Sequence, residues 1–261
     1  MWQRLGQHFL QDPAALDCLR ASVARFFSSS STTHPQAIIE IWPGQGVLTR
    51  ELMEFDRPII ALEKDLQMQK YLQPLDPAVR MIRWDALEAN HTIIQETADQ
   101  YNIPNDIAQM VVVGNLPYYI TSPLLRMRLQ DGAAPLPLGG VFLIQKEVAE
   151  KLLSTSRKKS FLRRCITNWY DVSLEMIVPP QAFNPPPKVD SAIIICTRRE
   201  KPRLTATQHT RALEFLDLVT TYKRKTLGKI QKIIGDARQI PPHLHAYRVE
   251  QLDWTTIAEV I

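Results

Sequence analysis

The first chemical signal lies in Val111 to Leu125, which reads VVVGNLPYYITSPLL. An apolar run ends there at Asn115, Leu116, Pro117 and Tyr118. These residue types suit an exocyclic amine held flat. The Asn115 side-chain oxygen can accept one N–H of such an amine. Pro117 lacks an N–H, fixes its own φ and biases Leu116 towards extended backbone. The Leu116 carbonyl can then accept the second N–H. Tyr118 offers a ring face on which a base can stack, worth ~1–3 kcal/mol per base. The same four residues also suit a plain strand and turn with Tyr118 in the core, so the neighbouring motifs have to decide.

Three other stretches carry matching chemistry. Glu40-Ile41-Trp42-Pro43-Gly44-Gln45-Gly46 follows the apolar run from Ala37, and its glycines let backbone approach a ligand closely. Glu63 ends the run Ile59 to Leu62 and stands 23 residues after Glu40. That is about the spacing at which an acid reaches ribose hydroxyls in Rossmann-like sites. Asp85 closes the run Val79 to Trp84 and can accept from an adenine amino group, with Trp84 or Ala86 shaping the slot.

All four stretches sit at the ends of strand-like runs. Short apolar runs closed by turn residues read as buried parallel strands, and ligands in open α/β sheets bind beyond their carboxyl ends. The expected strands are 37–41, 59–62, 79–84, 111–115 and 141–144. A helix is expected from Asp12 as N-cap and Pro13 in the first turn to about Phe27. Residues 28–33 read as a polar loop, 88–104 as helix and loop, 124–130 as helix and 131–140 as loop. Ser156 to Arg164 carries Arg157, Lys158, Lys159, Arg163 and Arg164 around Phe161, a basic patch with an aromatic that suits phosphate contact and stacking and reads equally as a mobile solvated loop. Runs 172–178 and 192–197 are the last strands, and the proline-rich loop after Phe183 should be stiff and projecting. Residues 198–203 read as a linker. From 208 onward the period is helical, with Leu213, Leu216, Val219 and Leu227 on one face and Lys223, Arg224, Lys225, Lys229 and Lys232 on the other.

Composition bounds the function classes. At 261 residues, 45% hydrophobic and 22% charged, the chain suits one large α/β domain and a small second one. Cys18, Cys165 and Cys196 form no CxxC pair, and the six histidines show no metal-ligand spacing. Zinc and a disulfide framework are therefore not expected. No apolar run approaches a membrane span, and the N-terminus has no signal-like apolar segment, so a cytoplasmic protein is expected. Residues 1–150 hold 12 Lys and Arg against 17 Asp and Glu, a net of −5, and residues 151–261 hold 19 against 10, a net of +9. That asymmetry points to a polyanionic partner.

Taken in order, the motifs resemble a known family. They include Leu5-Gly6-Gln7-His8-Phe9-Leu10, the Glu40 to Thr49 run, Glu63, Asp85-Ala86-Leu87 and Asn115-Leu116-Pro117-Tyr118. Later come Ala182-Phe183-Asn184-Pro185-Pro186-Pro187-Lys188-Val189-Asp190-Ser191-Ala192 and Arg224-Lys225-Thr226-Leu227. Together they are similar to the small-subunit rRNA adenine dimethyltransferases of the KsgA type, which use S-adenosylmethionine, and the resemblance spans nearly the whole chain.

It implies a class I, Rossmann-like methyltransferase fold over residues 1–200 and a helical rRNA-recognition domain over 201–261. The implied reaction is dimethylation of N6 on two adjacent adenines in the 3′-terminal hairpin of small-subunit rRNA, in a protein expected to be a monomer. Asn115, Leu116, Tyr118 and Phe183 would hold the target base, Phe183 opposite Tyr118. Gln7, His8, Leu10, Glu40, Gly44, Glu63, Asp85 and Asn115 would hold the cofactor. Arg157, Lys158, Lys159, Lys188, Lys223, Arg224 and Lys225 would contact RNA. Two alternatives stay open: a large-subunit rRNA adenine methyltransferase of the antibiotic-resistance type, and a ribosome-assembly factor that binds without turnover.

This chain departs from the family at three places. His8 stands where the family usually has Asn. Phe161-Leu162 replaces Tyr-Gly. Trp42 replaces the first glycine of Glu-Ile-Gly-Pro-Gly. Pro43 favours an extended conformation at Trp42, which would let its side chain turn away from the ligand.

Overall fold

A computed structural model describes residues 8–28, 34–75, 77–83, 85–88, 91–129, 135–153, 160–222, 224–235 and 239–261. Gln7, Arg157, Lys158, Lys159 and Lys223 lie outside them, as do Trp84 and the polar loop over 29–33.

The chain enters through a two-residue strand, β1 (Phe9–Leu10), then helix α1 (Pro13–Ser28). Asp12 caps that helix by accepting from the Ala15 amide at 3.2 Å. Strands β2 (Ala37–Ile41), β3 (Ile59–Leu62), β4 (Val79–Ile82), β5 (Met110–Asn115) and β6 (Gly139–Gln145) follow. They are interleaved with α2 (Val47–Leu52), α3 (Leu66–Leu72), α4 (His91–Gln100) and α5 (Thr121–Leu129). After α6 (Lys146–Leu153) and α7 (Phe161–Thr167) come β7 (Tyr170–Val178), β8 (Phe183–Asn184) and β9 (Ser191–Arg198).

Seven strands form one sheet in the order β4-β3-β2-β5-β6-β9-β7. The first five are parallel, β9 runs antiparallel to β6, and β7 pairs antiparallel with β9. All five residues of β2 are buried, as expected of a strand covered on both faces. Alternate residues go to opposite layers: Ile39, Ile41 and Val112 to one core, Ile38, Val111 and Val113 to the other. Gly114 is dictated by this packing. A Cβ there would stand 2.7 Å from the Ile41 carbonyl oxygen and 2.8 Å from Leu116.

Helices α8 (Ala206–Thr220), α9 (Leu227–Ile234) and α10 (Trp254–Ala258) complete the chain. They gather a third core, confined to residues between Leu204 and Val260, with Phe215 and Leu216 among its fully buried members. Leu213 touches both this core and that of the sheet. No helix among the described residues is long and apolar enough to cross a membrane.

The expected basic loop is corrected in its second half. Ser160 caps α7 by accepting from the Arg163 amide at 3.1 Å, and Arg164 is only 4% exposed. The pairing of β1 with β8 was not foreseen either. Phe9 stands opposite Asn184 and Leu10 opposite Phe183. Two-residue strands carry no periodic signal, so nothing in the sequence announces the pairing.

Candidate active site

The carboxyl ends of β2, β3 and β5, with the arm at β1, wall a cleft. Leu10, Leu16, Leu19 and Leu48 make it apolar at one side. Glu40 and Glu63 line it at the β2 and β3 ends, and Asn115, Leu116 and Tyr118 at the β5 end. The sheet order brings these residues together, because β2 lies between β3 and β5.

Asn115 is half-buried and oriented by the arm. Its Nδ2 donates to the His8 carbonyl at 3.0 Å. Its Oδ1 and the Leu116 carbonyl accept no hydrogen bond from the described residues. Pro117 holds the turn, its carbonyl accepting from the Ile120 amide and the Thr121 hydroxyl, each at 3.1 Å. Tyr118 is anchored by a 2.6 Å hydrogen bond between its hydroxyl and that of Ser191. Burial raises its pKa and that bond lowers it, with a net rise. Two acceptors with no donor among the described residues therefore stand beside a fixed aromatic ring.

The ring stacked on Tyr118 is His8, with centroids 5.7 Å apart and planes inclined by 30°. His8 Nδ1 lies 2.7 Å from the Pro185 carbonyl, which ties the arm to the proline-rich loop. Phe183 is only 3% exposed and packs in the core with Leu10 and Val178. It is not a wall of the cleft, which corrects the expectation that it faces Tyr118. The physical reason is the β1–β8 pairing, which draws Phe183 inward while the following loop residues Asn184 to Pro186 stay exposed. Sequence reading missed Ser191 and His8 as partners of Tyr118. The only available signal was the His in place of the usual Asn.

The turn after β2 keeps the shape of a glycine turn. Gly44 and Gly46 take φ of 55° and 73°. Trp42 does too, at 60°, so the expected extended conformation is wrong. Framework bonds override the local preference. The Trp42 amide donates to the Leu62 carbonyl at 3.0 Å, and the Gly46 amide to the Pro43 carbonyl at 2.9 Å. The indole is 8% exposed and meets Tyr119 edge-on, with centroids 6.4 Å apart. It forms one wall of the cleft without filling it, and its Nε1 is buried with no hydrogen-bond partner among the described residues.

Two carboxyl groups line the cleft. Glu63 accepts from the Gly44 amide at 3.1 Å and the Asp65 amide at 2.7 Å. Burial raises its pKa more than these bonds lower it. Glu40 is fully buried, and its Oε2 has no hydrogen-bond partner among the described residues. Burial pushes its pKa up to about 8, against the pull of the Thr49 hydroxyl and with the help of Glu63's charge. An unpartnered acidic oxygen in an apolar cleft calls for a cationic donor.

This shift predicts a pH effect. The folded chain keeps the Glu40 proton up to about pH 8, while the unfolded chain loses it near its ordinary value of 4.5. Stability therefore falls as pH rises through that window. His209, held down to about 4 by burial, acts in the opposite sense at lower pH and is silent above about 6.5. Between about pH 6.5 and 8 the urea midpoint should fall in the wild type and stay level in Glu40→Gln. A wild-type midpoint that does not move removes the neutral Glu40.

Asp85 stands apart from the other site residues. It is not a wall of the cleft, and both its oxygens are engaged. Oδ1 accepts from the Leu87 amide at 3.0 Å and Oδ2 from Lys64 Nζ at 2.7 Å. Burial opposes ionisation here, but the bonds to Lys64 and Leu87 hold the carboxyl below its usual range. Sequence reading missed Lys64, although it directly follows Glu63. Of the expected RNA contacts, Lys188, Arg224 and Lys225 are exposed.

Comparison with known proteins bears on this geometry. A family model described as ribosomal RNA adenine dimethylase matches residues 2–257. Ribosomal RNA small subunit methyltransferase A of Xanthomonas axonopodis pv. citri is 30% identical over 272 residues, covering 98% of this chain and 94% of that protein. Two crystal structures share the fold at 23% identity. One is 23S rRNA methyltransferase ErmE, with a TM-score of 0.70 over 96% of this chain and 98% of that one. The other is a dimethyladenosine transferase from Plasmodium falciparum, with a TM-score of 0.69 over 96% of both chains.

Proposed function

The chain belongs to the ribosomal RNA adenine dimethylase family, and on that premise we propose that it transfers methyl groups from S-adenosylmethionine to N6 of adenine in small-subunit rRNA. Two adjacent adenines of the 3′-terminal hairpin are the proposed targets, each dimethylated, as a step in small-subunit biogenesis in the cytoplasm. The observation that carries this reading is the pair of unpartnered acceptors, Asn115 Oδ1 and the Leu116 carbonyl, beside the Tyr118 ring.

The cleft fits the cofactor. A sulfonium ligand with an ammonium group matches the unpartnered Glu40 oxygen and the carboxylate of Glu63 in an otherwise apolar cleft. Glu40, Gly44, Glu63, His8 and Leu10 are the proposed contacts. Asp85 joins them if its bond to Lys64 gives way. The bound cofactor supplies a methyl group already activated by positive sulfur.

The protein's task is alignment. Asn115 and Leu116 each accept one N–H of the target amine, so its lone pair is directed away from them. Tyr118, held by Ser191, keeps the base plane fixed once His8 yields its place. No strong base is required, because the methylated nitrogen can release its proton to water. An adenine in structured RNA must first leave its stack to reach this cleft. Residues 201–261, with Arg224 and Lys225 exposed, are proposed to recognise rRNA, and Lys188 borders the cleft side of β9.

The test is incubation with methyl-labelled cofactor and separated ribosomal subunits, followed by mass analysis of the nucleosides. N6,N6-dimethyladenosine from the small subunit alone is the expected product. Label in large-subunit rRNA would replace this reading with the antibiotic-resistance activity. No label, with rRNA still bound, would leave an assembly factor.

A further inference from the structure

Away from the cleft, three arginines converge on a second pocket. Arg163 and Arg164 of α7 and Arg203 of the segment leading to α8 wall about 620 Å³ of space, facing Asp253 and Trp254 at the start of α10. Each guanidinium is held by a main-chain carbonyl. Arg163 donates to Leu152, Arg203 to Thr167 at 3.0 Å, and Arg164 to Val249 at 2.6 Å and Leu252 at 3.0 Å. These bonds fix positions without cancelling charge. Among the described residues no carboxylate forms an ion pair with any of the three.

The one acid in the wall is committed elsewhere. Asp253 caps α10, accepting from the Thr256 amide at 2.9 Å and its hydroxyl at 3.0 Å. Burial and the charge of Arg203 both depress the pKa of Arg163. Burial and Arg199 depress that of Arg203, against the pull of Asp171. Burial brings Arg164 down to about 10. Arg164 is buried, Arg163 half-buried and Arg203 exposed at the rim, and an anion between them offsets their mutual repulsion.

We propose that this pocket binds a backbone phosphate of the rRNA substrate, with the adjoining nucleotide resting on the Trp254 ring. The Trp254 indole is half-buried and steadied by donation from Nε1 to the Thr167 hydroxyl at 3.3 Å. A fork of guanidiniums matches phosphate geometry, and an aromatic wall beside it favours a nucleotide over a bare anion. The inference rests on the rRNA reading above and sharpens it. Thr167 and Arg203 lie where β7 begins, at Tyr170 opposite Arg198. The cleft lies at the other end of β9, at Ser191. The seven-residue step from Ser191 to Arg198 is roughly 20–25 Å along a strand. The phosphate bound here thus belongs to a stretch of RNA distinct from the one entering the cleft. A particle with folded rRNA supplies both stretches at once.

The experiment compares wild type, Arg163→Gln/Arg203→Gln and Arg163→Lys/Arg203→Lys for binding of purified small ribosomal subunits across a salt series. Calorimetry with S-adenosylhomocysteine reports whether the cleft stays folded. The expected result is an unchanged cofactor affinity in all three. The Gln pair should lose about tenfold in particle affinity and flatten the salt slope by ~0.7–0.9 for the one phosphate lost. The Lys pair should recover most of the slope. An unchanged slope in the Gln pair, with cofactor binding intact, overturns the proposal. A rise in wild-type melting temperature with inorganic phosphate, coupled to an unchanged slope, overturns it too and leaves a free-anion site. Failure of the wild type to methylate small-subunit rRNA strikes the function reading instead, because particle binding is measured without turnover.

Discussion

Replacing Asn115 with alanine should lower methylation by about 10²–10³-fold, the range seen when one preorganised polar contact to a reacting group is removed. Cofactor affinity should change by less than about tenfold. The asymmetry follows from where the side chain points. Nδ2 is engaged by the His8 carbonyl and Oδ1 is left for the target amine. Contacts that strengthen as the amine attacks affect turnover more than ground-state binding. Part of the loss will come from the arm, since the variant also releases the His8 carbonyl. Asn115→Asp separates the two contributions, because it keeps an acceptor oxygen at the same reach and loses the donation to the His8 carbonyl, and it should be faster than alanine. Single-turnover rates on small subunits provide the measurement. A rate within threefold of wild type for Asn115→Ala removes this residue from the chemistry.

Trp42→Gly should destabilise the fold by ~2–3 kcal/mol while leaving the wild-type cleft's capacity for cofactor as the decisive observation. Two terms oppose each other. Glycine relieves the strain of a non-glycine residue at φ 60°, worth ~1–3 kcal/mol. It also deletes an almost fully buried indole, and emptying such a site costs ~3–5 kcal/mol. The second term wins because the ring packs in the same core as Ile82, Ala86 and Leu116. Denaturant midpoints give the first number. Calorimetry on the wild type gives the second, and S-adenosylmethionine should bind, because the indole forms a wall and leaves the space between Glu40, Glu63 and Asn115 open. If the wild type binds nothing and Trp42→Gly restores binding, Trp42 is an obstruction and the chain has kept a methyltransferase fold without its reaction.

Much of the fold was legible because its strands are short, apolar and closed by turns. The runs beginning at Ala37, Ile59, Val79 and Val111 needed only burial on both faces to be read as a parallel sheet. The alignment of Glu40, Glu63 and Asn115 followed from the same rule, since strand ends are where ligands bind. What was not legible depends on long-range pairing or on a framework overriding local preference. Phe183 reads as a loop aromatic until its neighbour Leu10 is known, 173 positions away. Trp42 reads as extended before a proline until the bond from its amide to Leu62 is seen. Arg164 reads as a solvated charge until the carbonyls of Val249 and Leu252 are found waiting for it.

The bond between His8 and Pro185 spans 177 positions of sequence, and β1 meets β8 across nearly as many. Loops that long are slow to close, and the entropy of closing them is lost before any contact rewards it. The parallel strands β2 to β6, by contrast, lie within residues 37–145, and their most distant pairing, β2 with β5, joins Ala37 to Met110. During synthesis the sheet's first five strands can therefore form while the arm still has nothing to pair with. Only after Phe183 and Asn184 have left the ribosome can the arm settle, stack His8 on Tyr118 and turn Asn115 into place. The reactive geometry thus forms after those five strands, and a nascent chain stalled before residue 183 carries them with an arm that has no partner to hold it over the cleft.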